Sequence, residues 1–241
     1  NPDKRLDFVS FHHYWVRSPV EISRWEEEID AALERASLPT DLPIFVTEIG
    51  YAWKWRTDPA KNLWHAAGMT AYQHQARHSP DLRLFPWVQY HSEPQIAMVQ
   101  FDTRLRQTPY GAAVKMLRMH RRREVAATSS GLDAGGNGLG ALATMDDKGL
   151  TVHLWNLQPN GKRRAVADVR IANLPDHLRS VPLTVRRYLI DSKHSNCQTG
   201  PNKNGALEMV EERAMEGSAT LRLSAELEPM ALCLWQIERA P

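Results

Sequence analysis

Leu42–Ile49, with the sequence LPIFVTEI, gives the clearest indication of the fold. The run is short, apolar and continuous, which is typical of a strand buried on both faces of a parallel sheet. It carries Glu48 at its carboxyl end, where a carboxylate is costly unless it is hydrogen-bonded or functional. Glu48 is therefore a candidate nucleophile or general base. The alternative is a solvent-facing glutamate ahead of a turn at Gly50.

Around this strand, residues 1–123 alternate short apolar runs with helical patterns. The predicted strands are Leu6–Tyr14, Leu42–Ile49 and Leu82–Tyr90. The predicted helices begin near Ser18-Pro19, near Asp58-Pro59 and at Pro109, the last ending at Arg122. Strand–helix alternation of this kind favours parallel strands joined by crossover helices.

Beyond Arg123 the pattern changes. Ala126–Gly140 holds five glycines and is typical of a linker or a long loop. Short runs follow, separated by turn residues; they are Leu150–Leu157, Ala165–Leu174, Leu183–Asp191, Ala219–Leu223 and Met230–Glu238. Short strands with turns at this spacing predict an antiparallel β-sandwich.

Chain length constrains the parallel part. A closed (β/α)8 TIM barrel needs about 250 residues and eight strand–helix units, whereas residues 1–123 supply three. We therefore expect an α/β plus all-β protein: the C-terminal portion of a barrel in residues 1–124, a linker in 125–140 and a β-sandwich domain in 141–241. The alternative for the first part is a small, complete open sheet.

Composition excludes several classes of protein. The 241 residues are 42% hydrophobic and 24% charged, which is ordinary for a globular chain. The net charge of +2 is too balanced to indicate a nucleic-acid partner. No apolar run approaches the roughly 20 residues that span a bilayer, so no membrane partner is expected. No targeting signal opens the sequence, so a soluble chain is expected. Cys197 and Cys233 cannot form a disulfide framework, and the cellular compartment is left open.

The first predicted strand ends in a second group of polar side chains. Two-residue periodicity puts Ser10, His12 and Tyr14 on one face, with His13 on the other. His12 could hydrogen-bond a sugar hydroxyl, and Tyr14 could donate to a neighbouring carboxylate. The alternative is an aromatic-rich strand end that packs under loops.

Three further residues follow the second and third strands. Trp87 could offer a platform for a sugar ring, Trp53 lies in a predicted loop, and Glu93 could be a second carboxylate of the site. The structural alternatives are a core tryptophan for Trp87 and a turn-flanking glutamate for Glu93. The histidines lack metal-ligand spacing and there is no glycine-rich phosphate loop, so no metal and no cofactor are predicted.

Taken in order, these motifs resemble glycoside hydrolase family 39, the β-xylosidase and α-L-iduronidase group. The S-x-H-x-Y pattern ending at Tyr14 is similar to the end of that family's sixth barrel strand. Pro43–Glu48 is similar to the seventh strand, which carries the nucleophile, and Trp87 matches a tryptophan of the eighth. Arg187–Asn196 (RYLIDSKHSN) is similar to a strand of the family's β-domain and is the most specific match.

The resemblance implies a retaining glycosidase acting on xylosides or related oligo- and polysaccharides, with Glu48 as nucleophile and no cofactor. The residues implied to contact the sugar are His12, Tyr14, Trp87, Glu93 and Trp53. The family's acid/base glutamate lies in an N-E-P motif that this chain lacks, so it would belong to the missing N-terminal half of the barrel, a separate chain or segment. The alternative is a non-catalytic carbohydrate-binding module with a degenerate barrel.

The missing acid/base glutamate yields a prediction. We expect the purified 241-residue chain to release no sugar from aryl glycosides, because no group would protonate the leaving oxygen. Turnover by this chain with no other polypeptide present would contradict the expectation.

Overall fold

The computed structural model describes residues 5–14, 16, 18–50, 61–86, 90–91, 98–101, 105–159 and 163–241. Among these residues, no helix has both the length and the apolar character of a membrane span.

A three-stranded parallel sheet forms the first part of the structure. Its strands are β1 (Val9–Tyr14), β2 (Ile44–Gly50) and β3 (Leu82–Pro86), in that spatial order. Helix α1 (Glu21–Arg35) follows β1, and α2 (Lys61–Ala76) follows β2. The predicted alternation of parallel strands and crossover helices is confirmed for these elements. All three strands therefore end at the same edge of the sheet.

The helix boundaries differ from those predicted. Helix α1 begins at Glu21, after Val20, without a side-chain cap. Ser18 accepts a hydrogen bond from the Glu21 amide through its backbone carbonyl, in a turn that precedes the helix. Helix α3 (Pro109–Arg118) is capped by Thr108, whose hydroxyl accepts from the Gly111 amide at 3.2 Å. It ends four residues before the predicted Arg122, and the chain then enters the next sheet.

The connection from β3 to α3 contains a small sheet that the sequence did not predict. Its strands are β4 (Tyr90–His91), β5 (Val99–Phe101) and β6 (Leu105–Gln107). Strand β4 pairs with β5 in parallel, and β5 pairs with β6 as a hairpin.

The rest of the chain forms antiparallel sheets. The strands are β7 (Arg123–Val125), β8 (Gly131–Leu132), β9 (Gly138–Met145), β10 (Gly149–Leu157), β11 (Ala165–Ala172), β12 (Pro182–Ile190), β13 (Glu208–Glu216), β14 (Thr220–Leu227) and β15 (Leu232–Arg239). The larger sheet runs β13-β12-β15-β10-β9-β7, with β8 paired to β9, and β11 pairs with β14 separately. Strand β8 and the start of β9 lie within the range 125–140 read as a linker.

The large sheet has a core on each face. On one face, side chains of β10, β12 and β15 form one cluster with β11 and β14. On the other face, Trp155 and Leu157 of β10 join the cluster that contains α2, α3 and the parallel sheet. This explains why every residue of β10 is buried. Helix α2 therefore packs between the parallel sheet and the antiparallel sheet.

One buried and two partly buried histidines lie where α2 and the end of α3 meet β10. His120 Nε2 is 2.9 Å from His153 Nδ1, and the ring of His74 lies 4.9 Å from that of Trp155. Burial lowers the pKa of His120 to about 4, helped by the nearby Arg77 and His74. Burial also lowers the pKa of His153 and of His74. These imidazoles are therefore neutral at pH 7, and protonating them would put like charges together inside the core.

This cluster predicts acid sensitivity of the fold. A histidine whose pKa is lowered by folding binds fewer protons when folded than when unfolded, so stability falls as the pH falls from about 6.5 to about 4. For His120 the loss can reach about 3 kcal/mol. We expect His120→Gln to reduce the loss of unfolding free energy between pH 6.5 and pH 4, as measured by urea denaturation.

His177→Gln is the matched control, because that imidazole is exposed. The control should show the acid-dependent loss of the parent protein. An identical loss in His120→Gln and in the parent would contradict the assignment.

Candidate functional site

The candidate site lies at the carboxyl edge of the parallel sheet, where an irregularity in β2 sets the direction of Glu48. Phe11 pairs with Val46, but the next residue, His12, pairs with Glu48, so Thr47 is an additional residue in β2. Regular alternation from the buried Val46 would turn Glu48 toward the helices. The additional residue re-aims it to the face that carries His12.

A tyrosine and a histidine from β1 contact the Glu48 carboxylate. The Tyr14 hydroxyl donates to Glu48 Oε2 at 2.5 Å, and His12 Nδ1 lies 3.1 Å from the same oxygen. The side chain of Glu48 is 23% exposed and that of His12 is 54% exposed. The carboxylate is therefore oriented through one oxygen while it remains within reach of solvent.

A glycine makes room for the tyrosine. Gly50 pairs with Tyr14 across the sheet, and a Cβ at position 50 would lie 3.1 Å from Cδ1 of the Tyr14 ring. The His65 ring of α2 lies beneath, with its Cε1 3.6 Å from the same point, and it packs edge-on against Tyr110 at the start of α3. Burial lowers the pKa of His65 to about 4, so its ring is neutral at pH 7. Gly50 therefore lies against both the Tyr14 ring and an uncharged, packed pair of rings from α2 and α3.

The two faces of β1 differ as the sequence predicts. His13 turns away from Glu48 and packs on Trp25 of α1, with ring centroids 4.4 Å apart. Burial lowers the pKa of His13, against a smaller opposing effect of Glu21. On the face that carries Glu48, away from α1, the sheet presents aromatic rings to solvent. Phe8 and Phe85 are about half exposed and flank Phe45, at centroid distances of 5.5 and 6.1 Å.

The structure brings together three of the residues singled out in the sequence, namely His12, Tyr14 and Glu48. The other three, Trp53, Trp87 and Glu93, lie outside the described residues. Within the part of the chain that the structure describes, no group of three or more His, Cys, Asp or Glu side chains could hold a metal ion.

Gly50 and His65 are the parts of the site that sequence reasoning missed. The sequence pattern indicated only a turn glycine at Gly50, although that residue closely follows Glu48. His65 was interpreted as one of several histidines without metal-ligand spacing. Only the pairing of Gly50 with Tyr14 shows that a side chain at position 50 would crowd the tyrosine ring. An oriented, partly exposed carboxylate of this kind can act as a nucleophile or as a general base.

Comparison with known proteins supports a shared fold. No protein-family model and no curated protein sequence matches the chain. Among solved structures, the chain is similar to a GH39 enzyme from Xanthomonas axonopodis pv. citri, with a TM-score of 0.76 and 12% identity over 98% of this chain and 55% of that one.

Two further structures agree. A monomeric β-xylosidase from Caulobacter crescentus CB15 gives a TM-score of 0.74 with 14% identity, over 100% of this chain and 57% of that one. A bacterial orthologue of human α-L-iduronidase gives 0.78 with 13% identity, over 98% and 50%. The chain thus shares their fold and spans about half of their length.

The packing around Gly50 yields a prediction. In Gly50→Ala the new methyl group would crowd the Tyr14 ring, so the ring must shift by a few tenths of an ångström. We expect the distance from the Tyr14 hydroxyl to Glu48 Oε2 to lengthen beyond that of the parent, measured by crystallography of both proteins. Ser10→Ala, an exposed position on the same face of β1, is the control and should leave the distance unchanged. An unchanged distance in Gly50→Ala would show that Gly50 does not set the position of Tyr14.

Proposed function

We propose that the chain is the C-terminal part of a retaining glycoside hydrolase of family 39, with Glu48 as the nucleophile. The observation that carries the proposal is the hydrogen bond from Tyr14 to Glu48 at the carboxyl edge of a parallel sheet. Active sites of β/α barrels are built at this edge. The shared fold with glycosidases over nearly the whole chain supports the same conclusion.

The reaction would run in two steps. Glu48 Oε1 attacks the anomeric carbon, and the bond to the leaving oxygen breaks as a carboxylic acid outside this chain protonates it. In the second step the resulting carboxylate takes a proton from water, whose oxygen attacks the anomeric carbon and releases Glu48. The two carboxyl groups of a retaining pair sit about 5–5.5 Å apart.

Tyr14 and His12 would hold Glu48 for this attack. Both contact Oε2, so they would fix the plane of the carboxylate with Oε1 toward the sugar. His12, Trp87, Glu93 and Trp53 would contact the sugar, which we assign to the xylosides or to related oligo- and polysaccharides.

The acid/base residue would come from polypeptide that completes the barrel. Parallel sheets are normally covered on both faces, and here Phe8 and Phe85 leave one face of the sheet exposed. The comparison structures are about twice as long as this chain. We therefore assign residues 1–124 to a barrel portion and 141–241 to a β-sandwich accessory domain, joined by residues 125–140, of which β8 and the start of β9 already pair in the large antiparallel sheet.

The nucleophile is tested by Glu48→Gln in the complete protein, meaning this chain together with the polypeptide that completes its barrel. The amide keeps the size of the side chain but cannot form the glycosyl ester. We expect kcat on an aryl glycoside to fall by roughly 10⁴-fold, the scale seen when one member of a covalent-catalysis unit is removed.

The control is Glu28→Gln, which removes an exposed glutamate of α1 and should keep the parent kcat. Normal activity in Glu48→Gln would refute the proposal. A parent protein that binds oligosaccharides in calorimetry but releases no reducing sugar would instead support the carbohydrate-binding alternative.

A further inference from the structure

The loop between β12 and β13, residues 191–207, is held rigid by its own side chains. Asp191 Oδ1 accepts from the backbone amides of Lys193 and His194, both at 2.7 Å. The Asn196 side chain donates to the Asp191 carbonyl at 3.0 Å and accepts from the Gln198 amide at 3.0 Å. The loop includes the end of the RYLIDSKHSN motif. These hydrogen bonds therefore explain why Asp191, His194 and Asn196 occur in the motif: they fix the backbone of the loop.

A close backbone approach completes the loop. The Gly200 amide donates to the Asn196 carbonyl at 2.9 Å, and a Cβ at position 200 would lie 2.2 Å from the Lys193 carbonyl oxygen. Asn196 and Cys197 are buried. The loop therefore presents a fixed surface to whatever it contacts.

The 191–207 loop contacts the β5–β6 hairpin, which belongs to the connection between β3 and α3. The side-chain amide of Gln198 donates through Nε2 to the side-chain oxygen of Gln100, which is buried. The Gln107 amide donates to the Asn204 carbonyl at 3.0 Å. Gly205 has a φ of +66°, and a Cβ there would lie 1.7 Å from the Gln107 carbonyl oxygen. Only a glycine allows the loop to come this close.

The connection that the loop holds begins beside the candidate site. It leaves β3 at Pro86, which pairs with Ile49, the residue after Glu48. Strand β4 follows and is tied to β5 through Tyr90 and Val99. The hairpin thus lies on the segment that starts at the carboxyl edge of the sheet, where the sugar would bind.

We propose that the 191–207 loop positions the β5–β6 hairpin of this connection, with Gln198 and Gly205 as positioning residues, and that this support contributes to how the proposed site holds a sugar. The effect on sugar binding rests on the proposed function, whereas the support of the hairpin rests on the contacts alone. A positioning residue affects substrate binding, and therefore KM. It has little effect on kcat, because Glu48 carries out the bond-breaking step.

The test is Gln198→Ala in the complete protein, with two readouts. We expect hydrogen exchange at the amides of residues 98–101 and 105–107 to quicken by about fivefold, the effect of one lost hydrogen bond. We expect KM for an aryl glycoside to rise several-fold while kcat changes by less than about twofold. Lys203→Ala, an exposed side chain of the same loop, should change neither.

A double-mutant cycle isolates the contact. If Gln198 acts through Gln100, then Gln198→Ala combined with Gln100→Ala should quicken exchange no more than the single variants do. Gly205→Ala should quicken exchange at Gln107 more than Gln198→Ala does, because it forces the two backbones apart.

The outcomes separate this proposal from the previous one. Exchange that is unchanged in Gln198→Ala would overturn the mechanical role, and faster exchange with an unchanged KM would overturn the positioning role. Full activity in Glu48→Gln would refute the nucleophile, and the exchange comparison, which needs no substrate, would still decide whether the loop holds the hairpin.

Discussion

The hydrogen bond from the Tyr14 hydroxyl to Glu48 Oε2 is the interaction on which the candidate site depends. It exists because two conditions are met in neighbouring strands. The additional residue Thr47 turns Glu48 to the face of β1 that carries Tyr14, and Gly50 leaves the space that the tyrosine ring occupies. The site is thus a property of strand pairing rather than of any one segment.

Sequence patterns predicted the elements whose burial follows a simple period. The parallel strands and helices α1 and α3 lie close to their predicted positions because their apolar residues face one core. Strand β9 was missed because it is rich in glycine and alanine; Gly140 is required there, since a Cβ would lie 2.1 Å from Trp155. Strand β13 was missed because its pattern is charged. It is an edge strand held in part by ion pairs such as that of Glu212 with Arg186.

The site was predictable in its residues but not in its geometry. The end of an apolar strand identified Glu48, and two-residue periodicity put His12 and Tyr14 on one face. The irregularity in β2 depends on the register with β1, which no local pattern encodes. The role of Gly50 likewise depends on which residue it opposes. In the same way, RYLIDSKHSN was recognisable as a motif, but the contact of the rest of its loop with the β5–β6 hairpin, through Gln198, Asn204 and Gly205, arises only in the folded chain.

Covalent trapping tests the central claim most directly. The complete protein would be treated with the 2-deoxy-2-fluoro analogue of the glycoside it hydrolyses, carrying a good leaving group, so that the glycosyl-enzyme forms but hydrolyses slowly. We predict loss of activity and a mass increase of one fluorosugar on the peptide that contains Ile44–Gly50, located at Glu48 by tandem mass spectrometry. An adduct on a different carboxylate, or hydrolysis with inversion at the anomeric carbon, would contradict the account.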